Sequence, residues 1–218
     1  MLWAENLLLL LTDARSGKLV VPWNRVDLAL AGSVLDQLWR AGRIAVDRPD
    51  RPRRPGRIRV LDASPTGDAV LDDVLAGLRE AERRPIGAIH RIKGGIRPRL
   101  YQRLRERGVL DHRRGRVLGL VPVDLWPARE TATVQPYADR LVDWLTSAPY
   151  REATGDEECA SASALLVATN ALGPVLRRAG LSGQVRAVRR TALRSREASW
   201  AATAVQQIVT SQQAAASG

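Results

Sequence analysis

Ile96-Arg97-Pro98-Arg99-Leu100-Tyr101-Gln102-Arg103-Leu104-Arg105-Glu106-Arg107-Gly108-Val109-Leu110 sets Ile96, Leu100 and Leu104 at i, i+4 and i+8, one face of a helix, and Arg99, Arg103 and Arg107 at the same spacing. Pro98 stands where a first helical turn tolerates it, Gly94 and Gly95 free the backbone before it, and Gly108 ends the run. A like-charge row repels itself unless anions lie against it, and the unsatisfied N–H groups of a helix start attract negative charge. The stretch reads as a helix with an anion site at its start. A solvated face in an arginine-rich chain is the plainer alternative.

Beyond Gly108 the spacing predicts a hairpin, residues 116–121 returning against Val109-Leu110 around a turn at 111–115. The same order occurs earlier. A helix over 26–41 stops at Gly42, a strand over 43–47 follows, and the Pro- and Arg-rich loop 48–56 leads to a return strand over 57–61. Helices are also expected over 2–12, 69–82, 137–147, 161–178, 182–193 and 197–209, with a short strand at 19–21. The fold class is therefore mostly α, a single compact helical domain over 1–209 with two protruding β-hairpins. Residues 210–218, small and polar, are expected as a disordered tail.

Composition narrows the anion. Of 218 residues 45% are hydrophobic, enough for one domain with a real core, and the net charge of +11 is unevenly placed. Residues 1–50 balance, 81–116 hold 12 basic and 3 acidic residues, and 117–160 hold 3 basic and 8 acidic. Such clustering points to phosphate-bearing partners, nucleic acid or anionic lipid. Lys18 and Lys93 are the only lysines, so genome composition inflates the arginine count without clustering it. The single Cys159 excludes an internal disulfide framework and a cysteine zinc site. No window approaches the ~20 apolar residues of a membrane span. With Glu5 where a leader would be basic, the expectation is a soluble, cytoplasmic chain whose membrane contact is peripheral.

Catalysis finds little support. His90 and His112 are far apart in basic stretches without a visible carboxylate partner, Gly94-Gly95 lacks the pattern of a nucleotide-binding loop, and neither Asp72-Asp73 nor Asp156-Glu157-Glu158 pairs carboxylates on one face. No catalytic residue, metal ligand or cofactor is assigned. Helix followed by hairpin also describes a winged helix-turn-helix, with residues 97–107 as recognition helix and the 48–59 hairpin as wing, so nucleic acid is the competing partner. Against it, Val117-Leu118-Gly119-Leu120-Val121-Pro122-Val123 is apolar on both faces and suits a core, an oligomer interface or a membrane edge better than phosphates. Arg177, Arg178, Arg186, Arg189 and Arg190 could form a second anionic-partner face, though solvation explains them better.

Leu2-Trp3-Ala4-Glu5-Asn6-Leu7-Leu8-Leu9, Pro22-Trp23-Asn24, Leu38-Trp39-Arg40-Ala41-Gly42-Arg43-Ile44, Ala63-Ser64-Pro65-Thr66-Gly67-Asp68-Ala69-Val70-Leu71-Asp72 and Leu104-Arg105-Glu106-Arg107-Gly108-Val109-Leu110 together resemble the Golgi phosphoprotein 3 family. Asp143-Trp144-Leu145 and Ser199-Trp200-Ala201-Ala202 are similar to its later helical motifs. The resemblance implies a peripheral membrane protein without enzymatic activity. It implies a basic pocket for phosphatidylinositol 4-phosphate, cytoplasmic tails of glycosyltransferases as clients, and an apolar hairpin for homo-oligomerisation and bilayer contact. The family's pocket uses one tryptophan and three arginines. Here Trp23 and Arg97 match, whereas Ala31 and Gly94 stand where the other two arginines are expected. Arg91, Lys93 and Arg99 are the nearby replacements, and Val117, Leu118, Leu120 and Val121 are the hairpin residues assigned to a membrane or oligomer contact with Trp126. Taken without the family, Trp23 is better explained by turn or core packing, because tryptophans are usually highly buried.

Overall fold

A computed structural model describes residues 1–47, 56–80, 84–117, 121–147, 156–178 and 185–216. Among them the chain runs α1 (Trp3–Leu10), α2 (Trp23–Arg40), β1 (Ile44–Val46), β2 (Ile58–Val60), α3 (Ala69–Arg79), α4 (Pro85–Lys93), α5 (Ile96–Glu106), β3 (Arg113–Val117), β4 (Val121–Leu125), α6 (Thr131–Ser147), α7 (Glu157–Ala168), α8 (Leu172–Arg178), α9 (Val185–Ala198) and α10 (Trp200–Ala216). The four strands form two antiparallel hairpins, β1 with β2 and β3 with β4, so the fold is mostly α, as the sequence indicates.

The core is organised around α2. Every residue from Val26 to Asp36 on it is buried, which a helix tolerates only when neighbours enclose it on all sides. α1, α4, α5, α7 and α10 supply that enclosure, with Leu7, Leu8, Ile89, Leu100, Leu165 and Val205 among the side chains packed in. Gly32 is a point of close approach on α2. A Cβ there would lie 2.5 Å from Leu165 Cδ2 and 3.2 Å from Val205 Cγ2. Leu165 is fully buried and has no free space to turn into. Gly32→Val is therefore expected to destabilise the fold by about 3 kcal/mol through overpacking. Urea denaturation checks this, and an unchanged midpoint would show that α7 moves freely away from α2.

Several elements differ from the sequence reading. The strand expected at 19–21 is only a bridge, Thr12 with Leu19. Helix α4, opened by Pro85 at its first position, stands where the sequence reading assigns no element. The second hairpin has a different register. Residues 111–115 were expected as its turn, but Arg113–Val117 forms β3 and pairs with β4 so that Arg113 faces Leu125 and Val117 faces Val121, while Leu110 bridges Ala128. Gly115 explains the shift: it packs in mid-strand, where a Cβ would lie 2.7 Å from Leu125 Cδ1, and does not make a turn. Residues 118–120 are outside the described residues, as is the basic tip at 48–55 of the first hairpin.

The helix expected over 161–178 is two. Asn170, with φ of 56°, ends α7 in the left-handed region that asparagine tolerates, and α8 leaves at 113°. The final helix does not stop at 209. α10 continues to Ala216 through Gln212, Gln213 and three alanines, which favour helix and need no core beneath them. No single helix among the described residues is long and apolar enough to cross a membrane.

Candidate functional site

Pro22 sets the start of α2, and Trp23 is its first residue. No acidic residue lies in that first turn and no side chain caps it, so its opening N–H groups keep their affinity for an anion. The Trp23 side chain is not in the core: the residue is 63% exposed. One turn on, Asp27 lies on the same face of α2. Gly95, in the left-handed region at φ of 97°, turns the chain from α4 into α5 and delivers Arg97 to that carboxylate, its Nε donating to Asp27 Oδ1 at 2.7 Å. Burial pushes the Asp27 carboxyl above the ordinary range, against the opposing pull of Arg97 and of Lys93 at the end of α4. Below Arg97, Tyr101 anchors α5, stacked on Trp126 at 4.7 Å between ring centres and hydrogen-bonded to Thr12 Oγ1 at 2.8 Å. An exposed indole, a guanidinium and an ammonium thus share one corner with a buried carboxylate.

Of the replacement cations, Lys93 is the one whose charge acts on Asp27. Residues two apart on a helix point in nearly opposite directions, so Arg91 turns away from Lys93, and Arg99 from Arg97. Both reach α3 instead. Arg99 donates to Asp73 at 2.5 Å and to the Ala69 carbonyl at 3.0 Å, and Arg91 donates to Glu80 at 3.3 Å. They flank a separate cleft of about 250 Å³ floored by Val70, Val74, Ile92 and Ile96. Ala31 is fully buried, so that position belongs to the core of this chain and not to a pocket, whereas Gly94 is exposed.

Asp27 escaped the sequence reading, and its signal was the lone acid four residues after Trp23 inside the apolar run Val26 to Leu30. The arginine row does have anions against it, and they are the protein's own. Arg103 grips Asp68 with both terminal nitrogens, at 2.8 and 2.6 Å, and its Nε lies 3.1 Å from Glu5 Oε1; Arg107 donates to Glu5 Oε2 at 2.9 Å. The hydrogen bonds from Arg103 hold Asp68 below the ordinary carboxylate range. This pairing removes the free cationic helix face that the nucleic-acid reading requires.

The hairpin residues are only partly placed. Val117 and Val121 are the innermost pair of β3 and β4, and Leu118 and Leu120 are outside the described residues. Trp126 is stacked on Tyr101 and His112, and its backbone N–H donates to the Gly17 carbonyl at 3.1 Å. His112 does have a carboxylate partner, Asp124 at 2.8 Å, which the corrected register brings alongside, and the pair is solvent-exposed with no further polar partner for the imidazole among the described residues. Burial pushes the Cys159 thiol up to about 12, and no cluster of three metal-ligating side chains occurs among the described residues. Arg178 is engaged by Asp13 at 3.1 Å and the Thr12 carbonyl at 2.7 Å. Arg189 is exposed, while the side chains of Arg186 and Arg190 are outside those described.

Residues 3–212 match the family model described as Golgi phosphoprotein 3 (GPP34). Comparison with curated proteins returned no match.

Proposed function

Because the chain belongs to the Golgi phosphoprotein 3 family, we propose that it is a non-catalytic peripheral membrane adaptor. It holds the headgroup of an anionic phospholipid, phosphatidylinositol 4-phosphate or a related phosphoinositide, where α2 and α5 begin. The observation that carries this reading is Trp23, largely exposed beside Arg97 and Lys93 at an uncapped helix start. The indole offers an N–H to phosphate and a ring to the interfacial layer, and the guanidinium grips phosphate oxygens through its terminal nitrogens. The protein works at a cytoplasmic membrane face, where the tails of membrane enzymes and a second copy of the chain are its partners.

Vesicle co-sedimentation with and without phosphatidylinositol 4-phosphate, at matched surface charge, tests the proposal. Each cation near an anionic surface contributes about 1 kcal/mol, so Arg97→Ala is expected to weaken pelleting roughly fivefold. Trp23→Ala, which removes the interfacial ring, is expected to weaken it at least as much. Binding that salt removes but Trp23→Ala leaves intact would reduce the site to a nonspecific basic surface.

A further inference from the structure

We propose that the cleft walled by α3, α4 and α5 is a separate ligand site, which takes a single carboxylate on an unbranched hydrocarbon chain of about eight carbons. The proposal does not depend on the headgroup reading: none of Trp23, Asp27, Lys93 and Arg97 lines this cleft.

The cleft holds about 250 Å³ and its floor is apolar, with Val70 and Ile96 buried and Val74 and Ile92 partly so. At roughly 30 Å³ for each water-sized group, that is room for about eight of them. Glycine keeps the space open. Gly77 lies inside α3, where glycine weakens a helix, and a Cβ there would lie 3.2 Å from Arg91 Nε. At the other end, Gly94 and Gly95 make the turn from α4 to α5 with no side chain to close the wall, and a Cβ at Gly95 would meet nothing within 4 Å. Helices form the remaining walls. Their backbone groups are engaged within the helices, so the cleft offers no strand edge to a peptide backbone, and its apolar floor suits a hydrocarbon chain.

Charge at the rim selects the other end of the ligand. Arg91 and Arg99 both line the cleft. Arg99 donates to Asp73 at 2.5 Å and to the Ala69 carbonyl at 3.0 Å, so a carboxylate already sits against this rim. Arg91 is held more loosely, its Nη2 3.3 Å from Glu80. Its Nε and Nη1 have no hydrogen-bond partner among the described residues. Glu80 does not line the cleft and its side chain is 70% exposed, so it gives way to water at little cost. Asp73 does line it, and the lining groups therefore carry two positive charges and one negative. One carboxylate balances them, gripped by the open nitrogens of Arg91 while its chain covers the floor.

Isothermal titration calorimetry of the full chain with butanoate, hexanoate, octanoate, 1-octanol and octylamine tests the proposal. Each buried methylene is worth about fourfold, so affinity is expected to rise about fifteenfold from butanoate to hexanoate and again to octanoate. 1-Octanol and octylamine are expected to bind at least about tenfold more weakly than octanoate. Gly77→Leu places a better helix former in α3 and fills the cleft beside Arg91, whose exposed side chain can swing aside. It is expected to keep the helical circular dichroism of the natural chain and to abolish octanoate binding. Arg91→Gln, at an exposed ion pair, is expected to weaken octanoate about fivefold and to leave 1-octanol unchanged. The site is overturned if the natural chain does not bind octanoate, if 1-octanol binds as tightly, or if a folded Gly77→Leu binds octanoate unchanged. Should Gly77→Leu fail to fold, Arg91→Gln decides, and unchanged octanoate affinity there overturns the site. Each of these outcomes leaves the headgroup reading as it stands.

Discussion

Glu5→Ala is expected to destabilise the protein by about 3 kcal/mol, near the lower end of the range for removing one partner of a buried ion pair. Glu5 lies on α1 and is fully buried; its Oε2 accepts from the Leu2 backbone N–H at 2.8 Å and from Arg107 at 2.9 Å, while its Oε1 is ion-paired with Arg103 Nε at 3.1 Å without a hydrogen bond. Truncation leaves two guanidiniums facing an emptied, low-dielectric pocket. Asp68 still holds Arg103, and Arg107 is 40% exposed and can rehydrate, which keeps the loss from the top of that range. Glu5→Gln retains an acceptor for the Leu2 N–H and is expected to lose about 1 kcal/mol less. Urea denaturation of the three chains measures the ladder. A loss below about 1 kcal/mol for Glu5→Ala would mean that both arginines turn to solvent unaided. The contact also bears on the proposed site, since the α5 it clamps to α1 carries Arg97 in its first turn.

The architecture was legible where one periodicity ruled. The 3.6-residue apolar pattern of α2 and α5, the turn signals around Gly42 and Gly108, and Asp68 ahead of α3 are local features that tertiary packing left in place. The misses occurred where local signals conflicted with packing. Gly115 reads as a turn glycine, but it stands in mid-strand packed close against the Leu125 side chain, and every pairing in that hairpin moves with it. Asn170 bends the helix expected over 161–178, and nothing in the hydrophobic run around it announces a left-handed residue. Of the site, Trp23 and Arg97 were legible through the family's motifs and Lys93 through its charge. Arg91 and Arg99 were grouped with them by closeness in sequence, although the two-residue offset already put them on another face. What no local pattern gives is partnership. Arg103 and Arg107 answer to Glu5 about a hundred positions earlier in the chain, and Arg97 answers to Asp27 across 70 residues.

The largest pH effect is expected from Asp36, deep on α2. Its carboxylate accepts hydrogen bonds from Ser161 Oγ of α7 at 2.7 Å and from Ser199 Oγ at 2.9 Å, and Ser199 in turn caps α10 by accepting from the Ala202 N–H at 3.0 Å. One acid therefore ties three core helices together. Burial pushes it up to about 6, against the lowering effect of both serines and of Arg40. In the unfolded chain it titrates near ~4. Between about pH 4 and about pH 6 the native state consequently holds more protons than the unfolded one, so this group's contribution to stability is complete below that window and falls as pH rises through it. The separation of roughly two pH units corresponds to about 3 kcal/mol. Asp68 and Asp13, both held low, act in the opposite direction, losing stability as pH falls through their folded values. The raw stability curve therefore mixes the two signs, and the comparison that isolates Asp36 is the difference between the natural chain and Asp36→Asn. An amide cannot titrate there but still offers Ser161 or Ser199 an acceptor. Measured by urea denaturation at a series of pH values, the variant's stability relative to the natural chain is expected to rise by about 3 kcal/mol from pH 4 to pH 7 and then to hold level. Parallel curves would mean that the serines and Arg40 stabilise the charge enough to cancel its burial. The α2–α7–α10 junction would then be an ordinary hydrogen-bonded clamp with no proton linked to its folding.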